Sequence, residues 1–128
     1  VRLLLDTHLL LWAAYEPDRL PAAARAMMLN EANTLVFSAA SLWEVAIKRS
    51  IGRDDFTVDP RLLRRGLREN GYEELPVLGA HAVAVAVLPP LHNDPFDRIL
   101  VAQALVEEIT LMTVDPRIGA YPAPIRLF

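Results

Sequence analysis

Three features of this 128-residue chain predict an α/β fold in three layers, α/β/α, around a central parallel sheet of four to five strands. Short apolar runs end at acids: residues 2 to 5 run into Asp6, and Ile109 to Val114 runs into Asp115. Continuous hydrophobic runs, rather than strict alternation, are the mark of buried parallel strands. The elements come in the order strand, helix, helix, strand, helix and later helix, strand, so the sheet is covered by helices on both faces. From Ile99 to Val106 only Gln103 is polar, which buries that helix over most of its circumference.

Bulk composition agrees. A hydrophobic fraction of 53% with 23% charged residues excludes a disordered chain and suits one globular domain spanning residues 1–128. There are no cysteines, so a metal site would need oxygen or imidazole ligands, and a cytoplasmic location is the simpler expectation. The first apolar run is interrupted by Asp6 and His8, too soon for a membrane span or a signal core. At a formal charge of −3 the chain has no global positive field, and any polyanion must meet a local patch.

The chain opens with a strand into Asp6, followed by a helix from Leu9 to Tyr15 that Glu16-Pro17-Asp18 breaks. A second helix is expected from Pro21 to Ala32, ended by Asn33, and a second strand over residues 34–37. Ser38 caps a third helix that continues to Ile51, with Gly52 as its stop. On that helix Ser41, Glu44 and Lys48 share a narrow polar stripe, whose plain reading is a surface i,i+4 pair. Residues 54–60 read as a loop. A fourth helix from Pro60 to Asn70 carries Arg61, Arg64, Arg65 and Arg68, and the segment Gly71 to Val77 holds a short edge strand. The run His81 to Leu88 fits strand or helix by periodicity and is read as helix, closed by Pro89-Pro90. Asp94 as N-cap, Pro95 at the first helical position and Asp97 at the third then start the buried helix. Residues 125–128 add a last strand.

In such folds ligands bind beyond the carboxyl ends of the strands, where strand order reverses. Asp6 and Asp115 both stand at carboxyl strand ends. Asp97 joins them if its helix starts from that side, and Glu44 if the polar stripe faces inward. Four carboxylates held together repel one another and need a cation to stay ionised, and oxygen ligands favour Mg²⁺ or Mn²⁺.

Leu5-Asp6-Thr7-His8, Ser38 to Glu44, the segment Asp94 to Ala104 and Thr113-Val114-Asp115 resemble the PIN-domain ribonucleases, and within them the VapC toxins of toxin–antitoxin pairs. The resemblance covers nearly the whole chain, with the motifs in the family's order; the segment between Asp54 and Leu78 is its least specific part. It implies a PIN-like fold and an acidic quartet of Asp6, Glu44, Asp97 and Asp115 that binds Mg²⁺ or Mn²⁺, with Asp94 as an outer member and Thr7, Ser38 or Ser41, and Thr113 as surrounding hydroxyls. Asp6, Asp97 and Asp115 would bind the ion directly, while Glu44 would orient water or hold a second ion. It further implies endonucleolytic RNA cleavage leaving a 5′-phosphate and a 3′-hydroxyl, a cognate VapB-type antitoxin, and a homodimer. His8 and His92 are read as supporting residues and His81 as structural. Lys48, Arg49, Arg53, Arg98 and the arginines of the fourth helix are candidate phosphate contacts.

Two other readings compete. A phosphatase using Asp6 as nucleophile would need a second acid where His8 stands. A receiver-like interaction domain that binds metal without catalysis would need paired acids at the end of the first strand.

Overall fold

The computed structural model describes residues 1–51 and 57–128. Its sheet has five strands, all parallel, in the order β3-β2-β1-β4-β5. These are β1 (Arg2–Leu5), β2 (Thr34–Ser38), β3 (Glu73–Leu75), β4 (Thr110–Thr113) and β5 (Ile125–Leu127). The described helices are α1 (Thr7–Tyr15), α2 (Ala22–Leu29), α3 (Ala39–Ser50), α4 (Pro60–Glu69), α5 (Gly79–Ala84), α6 (Pro95–Glu107) and α7 (Pro116–Gly119).

Side-chain alternation along the central strands divides the core in two. Leu4, Val36 and Leu111 face one layer, where Leu100, Val101 and Ala104 of α6 and Ile118 of α7 meet them. Leu3, Leu5, Phe37 and Met112 face the other, against Leu9 and Leu10 of α1, Ala24 of α2, Val45 of α3, and Leu63 and Leu67 of α4. A three-layer α/β/α arrangement follows. Because β1 is flanked by β2 on one side and β4 on the other, strand order reverses at β1, the place where folds of this kind bind ligands beyond the carboxyl strand ends.

Ser38 and Asp94 cap their helices as expected, and three further residues, all acids, act in the same way. Asp6, Ser38, Asp59, Asp94 and Asp115 each cap a helix through a side-chain oxygen that accepts a backbone N–H. His81 to Leu88 is helical, as α5 followed by a 3₁₀ turn over Val85–Val87. Gly71, at φ 83°, makes the left-handed turn between α4 and β3.

Two boundaries and one element differ from expectation. The first helix begins two residues earlier, at Thr7, because Asp6 itself is its N-cap. The second helix ends at Leu29 rather than Ala32. There the Asn30 side chain accepts from Ala32 N, and the Asn33 amide donates to Met27 O, so local side-chain bonds replace further helical ones. The short helix α7 was not anticipated; four residues carry too little periodicity to announce it. The stop at Gly52, the loop over Asp54 to Phe56 and the phosphate contact at Arg53 lie outside the described residues.

Candidate active site

Register brings the first pair of acids together. Leu5 of β1 lies beside Met112 of β4, and Asp6 N donates to Met112 O at 3.0 Å. One residue further on, the Thr113 hydroxyl donates to Asp6 Oδ2 at 2.6 Å and accepts from Asp115 N at 3.0 Å. Asp6 Oδ1 accepts from Leu9 N at 2.8 Å. Burial pushes the Asp6 carboxyl above its ordinary range against the opposing pull of these bonds, and the charge of Asp115 pushes the same way. Asp115 behaves oppositely. Arg117 pulls it below the usual carboxylate range, through contacts of Nε with Oδ1 at 3.2 Å and Nη2 with Oδ2 at 3.0 Å.

The other two acids come from helices. Thr7 Oγ1 and Ser41 Oγ meet at 2.9 Å in the interior, which ties the start of α1 to the face of α3 that carries Glu44. Glu44 is only 4% exposed, so its stripe faces inward. The surface-pair reading of Glu44 and Lys48 is therefore overturned: Lys48 Nζ reaches a buried carboxylate at Oε2, 2.7 Å away. It is Trp43 that faces solvent, at 62% exposure, with Phe96 edge-on to it at 5.0 Å. Glu44 Oε1 is buried and has no hydrogen-bond partner among the described residues. A buried ionised oxygen left bare is costly, and a cation is the natural complement.

Asp97 sits at the third position of α6, its backbone N–H donating to Asp94 Oδ1 at 3.1 Å. Its Oδ2 lies 2.8 Å from His92 Nε2. Burial pushes its carboxyl up to about 6; His92 pulls it down, and the charges of Asp94 and Glu44 push it up further. The charge of Glu44 acts on Asp97 and that of Asp115 on Asp6, and the charge of His92 acts on one member of each pair, Asp97 and Asp115.

The four acids are not gathered equally tightly. Among the described residues, the three ligand groups within 4.8 Å of one another are His92, Asp94 and Asp97. Asp6, Glu44 and Asp115 stand outside that trio, and His92 stands closer to the acids than the sequence indicated. The chemistry of the donors still fits a hard divalent cation: carboxylate oxygens predominate, one of them bare and buried, with no sulfur.

The basic residues resolve differently from expectation. Arg98 braces the fold rather than facing a phosphate. Its guanidinium donates to Pro89 O at 3.0 Å, Tyr121 Oη at 3.0 Å and Val85 O at 3.2 Å, and Tyr121 Oη donates to His92 O at 3.3 Å. Those bonds hold the segment that carries His92. Arg49 pairs with Asp59 at 3.3 Å, and Arg64 with Glu74 at 2.6 Å. Arg61, Arg65 and Arg68 are exposed on α4. His81 is structural, as expected: fully buried, with Nδ1 accepting from Leu78 N and Nε2 2.8 Å from Glu107 Oε1. His8 is exposed on α1, where its charge favours ionised Asp6. Arg117 was missed; its signal was its position two residues after Asp115.

Residues 3–123 match the model of the PIN domain family. The chain is similar to "Ribonuclease VapC22" of Mycobacterium tuberculosis, 28% identical over 127 residues, covering 98% of this chain and 97% of that protein. Solved structures of similar fold include VapBC2 from Rickettsia felis bound to a DNA fragment from their promoter, with TM-score 0.73 and 15% identity over 100% of this chain and 99% of that one. FitAcB from Neisseria gonorrhoeae matches with TM-score 0.62 and 18% identity over 96% and 95% of the two chains.

Proposed function

The chain belongs to the PIN domain family, and on that premise we propose that it is a metal-dependent endoribonuclease, the toxin of a toxin–antitoxin pair. The single observation that carries the metal dependence is the buried Glu44 oxygen, without a hydrogen-bond partner among the described residues. Similarity to a VapC ribonuclease over almost the full length of both chains supports the RNA substrate. The proposed binding and catalytic residues are Asp6, Glu44, Asp97 and Asp115, with Mg²⁺ or Mn²⁺ as the ion.

When bound, the ion supplies positive charge against the scissile phosphate and lowers the pKa of water. The chain's own residues do the rest. Asp6 and Asp115 form the wall at the strand ends, and Thr113 orients Asp6 by donating to Oδ2. Asp97 contributes its charge above a pH of about 6, and His92 fixes the direction of its Oδ2. Glu44 offers Oε1 while Lys48 neutralises Oε2. No side chain is required as a nucleophile, and the reaction leaves a 5′-phosphate and a 3′-hydroxyl.

A VapB-type antitoxin is the proposed partner; solved VapBC complexes are among the chains of similar fold. The homodimer is carried over from the family resemblance, and the cytoplasmic location from the absence of cysteines. Among the described residues no helix is long and apolar enough to cross a membrane. The test is incubation of antitoxin-free protein with small RNA in Mn²⁺, Mg²⁺ or EDTA beside an Asp97→Asn control. Discrete fragments that need the ion and vanish in the variant support the reading. Metal binding with no cleavage difference between the two proteins supports the non-catalytic interaction domain instead.

A further inference from the structure

Within the quartet, Asp115 is the acid whose two carboxylate oxygens both lie against one cationic side chain. Arg117 Nε meets Oδ1 and Nη2 meets Oδ2, and the Arg117 backbone N–H also donates to Oδ1 at 2.9 Å. The other acids leave more room. Among the described residues Lys48 holds only Oε2 of Glu44, and Oε1 has no hydrogen-bond partner. Asp6 is held by a neutral hydroxyl and a backbone N–H, and His92 lies against only Oδ2 of Asp97. A divalent ion can therefore join Glu44 or Asp97 without evicting a cation, whereas at Asp115 it meets a guanidinium in place.

We propose that Arg117 is a tethered countercation with two positions: it covers Asp115 while no divalent ion is bound, and it turns to the RNA phosphate once the ion takes that carboxylate. This rests on the metal-dependent ribonuclease reading. The two cations repel each other at one carboxylate, so binding of the ion loosens the guanidinium. Release is easy, because the Arg117 side chain is 66% exposed while that of Asp115 is only 15% exposed, and exposed ion pairs are weak. Arg117 rides on the four-residue α7 at the rim, and the negative charges of Asp97 and Asp94 act on it as well as that of Asp115. Once freed it remains beside Asp115, where a planar fork of donors suits a phosphate.

Calorimetric titration of Mn²⁺ into the whole, RNA-free chain separates the possibilities, using wild type, Arg117→Gln and Arg117→Lys. Arg117→Gln is expected to bind Mn²⁺ about two- to fivefold tighter than wild type, consistent with loss of an exposed competitor. In steady-state cleavage the same variant should raise KM for RNA by about tenfold with kcat little changed, and its KM should depend less steeply on salt. Arg117→Lys should recover part of the KM, since it keeps the charge but not the fork. Mn²⁺ affinity in Arg117→Gln equal to or weaker than wild type would overturn the first position. An unchanged KM would overturn the second. If wild type takes up no Mn²⁺, the ribonuclease reading itself falls.

Discussion

Asp6 and Asp115 follow adjacent strands and do the same local work, yet their environments drive them apart. Asp6 directly follows β1 and Asp115 comes two residues after β4; each caps the helix that follows and touches the same threonine, one as acceptor and one through its backbone N–H. Asp6 is almost fully buried among neutral donors, so desolvation raises its carboxyl. Asp115 stands at the rim with a guanidinium across it, so its carboxyl falls. Local grammar fixes where an acid stands, and burial against ion pairing decides what holding its charge costs.

The broadest test of that comparison is to remove each charge. Asp6→Asn and Asp115→Asn should each cut RNA cleavage by more than about 100-fold, beyond the loss usual for residues that only orient a ligand. Turnover with a fixed RNA in Mn²⁺ measures it, and near-normal activity in either variant removes that acid from the site. Thr113→Val, which breaks the bridge while keeping the shape, should lower turnover by about 10-fold and stability by about 1–2 kcal/mol, read from denaturant midpoints. Asp97 sharpens the buried side of the contrast. With its carboxyl near 6, Mn²⁺ affinity should drop about tenfold for each pH unit below that value in calorimetric titrations. Affinity flat from pH 5 to 7 would show that Asp97 does not ligate.

Smaller effects carry opposite signs. Asp6 has a raised carboxyl in the fold, so its stabilising contribution is complete below the unfolded value near 4 and is lost as pH rises through the folded value. Asp115 is depressed, so its contribution is present above the unfolded value and is lost as pH falls through the folded one. In metal-free protein at pH 7, Asp6→Asn should therefore raise Tm and Asp115→Asn lower it, and shifts of the same sign would contradict the contrast. The smallest expected change is at the α6 cap, where Asp94→Ala should cost about 1 kcal/mol in a chemical melt.

What the sequence disclosed follows the range of the forces involved. Strand ends, caps and the all-round burial of α6 are local patterns, and they placed Asp6, Asp97 and Asp115 correctly in the fold. Glu44 was harder. Its i,i+4 lysine reads as a surface pair, and only the contact of Thr7 with Ser41 turns that stripe inward. Arg98 was misread because its acceptors lie 9 to 23 residues away in the chain, beyond any local pattern. Arg117 went unnoticed because a lone arginine after an acid carries no periodic signal, and the closeness of His92 to Asp97 depends on the loop that Arg98 and Tyr121 brace.

The central claim is that carboxylates and a divalent ion, rather than a protein nucleophile or the RNA's own 2′-hydroxyl, bring about strand scission. End-group mapping of RNA fragments produced by antitoxin-free protein in Mn²⁺ tests it most directly. The account predicts 5′-phosphate and 3′-hydroxyl ends that disappear with EDTA; 2′,3′-cyclic phosphate ends formed equally well in EDTA would contradict it.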